Sequence, residues 1–67
     1  MLIYEVLFKN LNGMQAHELF SDKEKATDYA AQMARNYDET IVYEYIEKDG
    51  KFFVTKSIMH LGDDVDI

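Results

Sequence analysis

The chain has 67 residues, thirteen acidic against seven basic, a formal net charge of −6, and no cysteine, proline or tryptophan. One small domain fits this length and two do not. No disulfide or cysteine-ligated metal can hold it together, and the acid excess argues against a free-standing nucleic-acid binder, which needs a basic patch. A fold this small leaves much of its surface in water and has little room for a deep substrate pocket, so completion by a partner is expected.

Residues 2–9 are aliphatic, aromatic and β-branched and predict a first strand. Asn12-Gly13 follows, a pair that tolerates the positive φ angles of a two-residue type I′ hairpin turn. Residues 14–20 are then expected to return as a second strand. Met14, Gln15, Ala16, His17 and Glu18 are weak strand formers, so a helical extension is the rival there. Ser21, with Glu24 three residues on, has the form of a capping box. Ala26, Tyr29, Ala30, Met33, Ala34 and Tyr37 follow as one apolar stripe of helical period.

Residues 40–47 predict a third strand, Asp49-Gly50 a second type I′ turn, and residues 51–60 a fourth strand. Residues 62–67 are expected to form a frayed acidic tail. The order is β-β-α-β-β. A crossover through the helix places strand three beside strand one. The predicted fold is therefore α+β: a four-stranded antiparallel sheet of order 2-1-3-4 with one helix on one face, in a single domain spanning 1–67.

Two-residue turns at both hairpins would oppose Val6 to Leu19, Phe8 to His17, Tyr45 to Val54 and Ile41 to Ile58. Leu2, Tyr4, Val6, Phe8 and Leu19 would then lie beneath the helix, joined by Tyr43, Phe52 and Lys56. The other face would collect Glu5, Lys9, Glu18, Glu44, Thr55 and Ser57 together with Ile3, Leu7, Phe20, Val42, Ile46, Phe53 and Met59. A solvated face should be mostly polar, and apolar surface of this extent marks a contact site. Either a partner or a second copy is expected to bury it, or the segment 14–20 or the tail folds over it.

Candidate chemistry is sparse. His17 and His60 lack the further ligands and spacing of a zinc site. Asp63, Asp64 and Asp66 resemble a fragment of a calcium loop but lack its other ligands, its central glycine and its closing glutamate. Ser21 is explained as a cap and has no nucleophile elbow around it. Neither a catalytic group, a metal site nor a cofactor is expected. Tyr43 and Tyr45 alternate on one face of strand three and could stack bases. However, Lys9, Lys51 and Lys56 are outweighed by Glu5, Glu18, Glu44 and Glu47, so direct nucleic-acid binding is not expected. The longest apolar run is three residues, as in Val6 to Phe8. The opening Met1-Leu2-Ile3-Tyr4-Glu5 also lacks the form of a secretory signal, and the expectation is a soluble, cytoplasmic protein without a membrane span.

With its opening strand, the run Phe20-Ser21-Asp22-Lys23-Glu24-Lys25-Ala26, an alanine-rich helix and a closing hairpin, the chain resembles small phage-encoded anti-defence proteins, anti-CRISPR proteins among them. The resemblance covers most of the chain as a pattern and carries no diagnostic residue. It implies action by protein contact, without catalysis, against a host nucleic-acid-handling machine in the bacterial cytoplasm. The expected function is thus a small acidic inhibitor module that occludes a basic surface of a host defence protein. Glu18, Glu44, Glu47, Asp63 and Asp64 would supply electrostatic contacts, and Ile46, Phe53 and Met59 apolar ones. The alternative is a structural or regulatory homodimer joined through the open sheet face.

Overall fold

The computed structural model describes residues 1–62. Strand β1 (Leu2–Lys9) and β2 (Gln15–Phe20) form the first hairpin, α1 (Lys23–Met33) follows, and β3 (Glu39–Lys48) and β4 (Lys51–Gly62) form the second. The four strands make one antiparallel sheet of order β2-β1-β3-β4, the α+β architecture that the sequence predicts. Within the segment 14–20, Gln15–Phe20 is a strand, not a helical extension. Gly62, expected to open the tail, lies in β4 opposite Glu39.

The helix lies over β1. Ala26 and Ala30 are fully buried, and their small side chains let it approach the sheet closely. Beneath them sit Tyr4, Val6 and Phe8 of β1, with Val42 and Thr40 of β3. Phe20, Tyr29, Met33 and Tyr37 close the edges of this core. Phe8 packs against Tyr37 at a ring-centroid distance of 4.8 Å, and Phe20 against Tyr29 at 5.2 Å.

Both ends of the helix depart from the sequence reading. The N-cap is Asp22, not Ser21: Asp22 Oδ1 accepts hydrogen bonds from the Glu24 and Lys25 amides at 2.9 and 3.3 Å. A carboxylate there also faces the positive end of the helix dipole, which a serine hydroxyl cannot exploit. The helix stops at Met33, with Ala34 as C-cap. Arg35 and Asn36 donate to the Gln32 and Met33 carbonyls in a tighter closing turn. Tyr37 therefore reaches the core from beyond the helix.

The first hairpin carries the largest correction. Its loop is three residues, Leu11-Asn12-Gly13. The Gly13 amide donates to the Asn10 carbonyl at 3.1 Å, the Asn10 amide donates to Met14 at 2.8 Å, and Gly13 has φ +99°. A three-residue loop that ends on a left-handed glycine shifts the register by one relative to a two-residue turn. Val6 now opposes Glu18, and Phe8 opposes Ala16. Because strand side chains alternate, this slip moves every β2 residue to the other face. Phe20 joins the core, and Leu19 leaves it.

The second hairpin has the predicted turn: Asp49 and Gly50 carry φ of 55° and 78°. Tyr45 opposes Val54 as expected. Two irregularities then intervene, between Val42 and Tyr43 and between Glu44 and Tyr45, so that Ile41 meets His60 rather than Ile58. Each leaves one extra residue on β4, the signature of a β-bulge on an edge strand.

Candidate protein-contact face

Opposed residues on neighbouring strands share a face, so the registers decide what the uncovered side presents. Val6 lies opposite Val42 under the helix. The helix-bearing face of β3 is therefore Thr40, Val42, Glu44 and Ile46, the reverse of the sequence expectation. By register with β3, Phe53, Lys56 and Met59 point the same way. Ile41, Tyr43 and Tyr45 consequently belong to the open face, together with Ile3, Leu7, Leu19, Phe52 and Val54. Leu19, Phe52 and Val54 are 61, 58 and 56% exposed. The face is apolar, as expected, but of the expected apolar residues only Ile3 and Leu7 lie on it.

The open face is also anionic. It carries three carboxylates, Glu5, Glu39 and Glu47, against one ammonium, Lys9. That ammonium is 3.3 Å from Glu39. Lys48, Lys51 and Lys56 fall by register on the helix-bearing face. Lys23 and Lys25 sit on the helix, and Arg35 in the turn after it. Among the described residues, then, six of the seven cations lie away from the open face.

Two of the carboxylates are held in place. Glu5 Oε1 accepts from the Tyr45 hydroxyl at 2.8 Å, and Glu5 Oε2 accepts from His17 Nδ1 at 2.7 Å. The bond to Glu5, with partial burial, holds the Tyr45 phenol above its ordinary pKa and keeps it a donor. Glu39 accepts from His60 Nε2 across β3–β4 and pairs with Lys9 across β1–β3. Bonds from His60 and then Lys9 hold its carboxyl below the usual range. The two histidines are thus positioning partners of carboxylates on one face. Their neighbours among the described residues do not form a metal-ligand group.

The residues singled out from the sequence divide between the faces. Ile46 and Phe53 oppose each other directly and are both exposed, but on the helix-bearing side, level with Leu2 at the N-terminal end of β1. Met59 packs against the core. Glu18 lies on the exposed edge strand β2 opposite Val6. Glu44 turns toward the helix-bearing side. It accepts from the Thr55 hydroxyl at 2.7 Å and the Tyr4 hydroxyl at 3.3 Å, and the Thr55 bond chiefly holds its carboxyl low. Glu47 is on the open face at its hairpin end, where Oε2 also accepts from the Gly50 amide at 2.9 Å. Asp63 and Asp64 lie outside the described residues. Sequence reasoning missed Glu5, Tyr45 and Leu19 as one cluster, because the one-residue slip at Gly13 puts Leu19, and the reversed face of β3 puts Tyr45, on the other side from Glu5.

No helix among the described residues is long and apolar enough to cross a membrane. Comparison with protein families, with curated proteins and with solved structures gives no match.

Proposed function

We propose that the protein is a non-catalytic binding module that docks the open face of its sheet on a basic surface of another protein. The observation that carries this reading is the coincidence, on one uncovered face, of exposed apolar side chains with fixed carboxylates and a single, already paired cation. Apolar area supplies affinity, and the negative field steers a basic partner and selects it. Glu5 has each oxygen hydrogen-bonded, to His17 and to Tyr45, and is held in place on this face. The surfaces that proteins use to hold nucleic acid are basic. Occluding such a surface on a host defence protein is the action that the resemblance to small phage anti-defence proteins implies.

A face-to-face homodimer is the weaker alternative. It would crowd Glu5, Glu39 and Glu47 of one copy against the same carboxylates of the other, and like charges brought together without partners oppose association.

The test is affinity capture from lysate of the source cell, comparing wild type with the exposed-position variants Leu19→Lys and Val54→Lys and with the helix-surface control Asp28→Lys. The proposal expects a basic protein that wild type and the control both retain, that both open-face variants lose, and that salt releases. Capture indifferent to the open-face variants would overturn it.

A further inference from the structure

Resting on the binding role proposed above, we infer that a hollow in the open face is an anchor site for a guanidinium group, the side chain of an arginine on the partner. The hollow measures about 190 Å³ and is lined by Ile3, Glu5, His17, Leu19, Tyr45 and Phe52. All four strands contribute to it, so its shape follows from the register that the three-residue loop and the Asp49-Gly50 turn impose.

Glu5 supplies the charge. Its side chain is only 17% exposed. His17 and Tyr45 each donate to a different carboxylate oxygen, at 2.7 and 2.8 Å. An ionised carboxylate has about four lone-pair sites, so each oxygen keeps capacity for one more donor. The acceptor is therefore pre-positioned and incompletely used, which lowers the ordering cost of binding.

The walls select among cations. Tyr45 and Phe52 present aromatic rings, on which a planar, weakly hydrated guanidinium stacks well. Its parallel N–H groups match two carboxylate oxygens, whereas an ammonium is a compact, strongly hydrated point charge. Ile3 and Leu19 offer apolar surface for the methylene stem. The cation on this face, Lys9, is occupied by Glu39 and does not compete.

The experiment is an amide chemical-shift titration of the folded chain with N-acetyl-arginine amide, its neutral isostere N-acetyl-citrulline amide, and N-acetyl-lysine amide. Saturable shifts are expected at Glu5, His17, Leu19 and Phe52 with the arginine probe, at least tenfold weaker with citrulline and weaker with lysine. Glu5→Gln should abolish them. Phe52→Ala, at an exposed position that leaves the fold intact, should weaken them. Equal response to citrulline, shifts elsewhere on the chain, or indifference to Glu5→Gln would overturn the inference. If the titration fails while Val54→Lys still abolishes partner capture, the arginine site falls and the docking face stands. If the titration succeeds while capture ignores the face, the docking reading falls instead.

Discussion

Among the described residues, Thr40 is the one polar residue in the core. It is fully buried between Phe8 and Leu61 on neighbouring strands, and its hydroxyl has no hydrogen-bond partner among the described residues. An unsatisfied buried hydroxyl costs about 1–3 kcal/mol. Valine has the same shape and replaces that hydroxyl with a methyl group, whose burial contributes roughly 0.8 kcal/mol. Thr40→Val should therefore stabilise the protein by about 1.5–2 kcal/mol, even after imperfect fit is allowed for. Unfolding entropy near 2.1 cal/mol/K per residue, over 67 residues, gives about 0.14 kcal/mol/K, so the melting temperature should rise by roughly 10–14 °C. Thr40→Ser keeps the hydroxyl and removes the methyl, and should cost about 1 kcal/mol. Calorimetry on the three proteins reads the ranking Val above Thr above Ser. A lower melting temperature for Thr40→Val would mean that the hydroxyl is satisfied in solution and that the packing described around it is wrong.

Other consequences are as direct. Asp22→Ala should cost about 1 kcal/mol in urea unfolding, and Ser21→Ala close to nothing, because Asp22 holds the two free amides. Equal effects would return the cap to Ser21. Gly13→Ala should destabilise by about 1–2 kcal/mol, since its φ of +99° is one that a side chain resists. A neutral result would contradict the left-handed conformation at Gly13. Glu39 and Glu44 have folded-state pKa values below the usual range, from bonds with His60 and Lys9 and with Thr55 respectively. Their stabilisation is thus present above the unfolded-state value of about 4.3 and is lost as pH falls through the lower folded value. Urea midpoints should decline below about pH 4.3, and less so in Glu44→Gln. A midpoint that stays flat into acid would contradict these pairings.

The strand order and the hairpin at Asp49-Gly50 were legible because local turn chemistry and helical periodicity settle them. What was not legible depended on parity. Asn12-Gly13 satisfies a two-residue turn and a three-residue loop equally well in composition, and the choice between them decides whether Leu19 or Phe20 enters the core. On β3 both faces are apolar in sequence, Ile41, Tyr43 and Tyr45 against Val42 and Ile46. Only the packing of Ala26 and Ala30 over Val6 and Val42 selects one of them. The bulges on β4 left no compositional mark. As a result the general expectation of an uncovered apolar face held, while Ile46, Phe53 and Met59 proved to lie on the other side. Asp63, Asp64 and Asp66 lie outside the described residues, and the carboxylates of the open face are Glu5, Glu39 and Glu47.

The claim that matters most is that the open face, and not the helix surface, meets a basic partner. Site-specific photo-crosslinking in the source cell tests it, with the reactive group placed at Leu19, at Val54 and, on the helix, at Asp28. The account predicts crosslinks from Leu19 and Val54 to the same basic protein and none to it from Asp28. Crosslinks to that protein from Asp28 alone, or from Val54 only to a second copy of this chain, would contradict it.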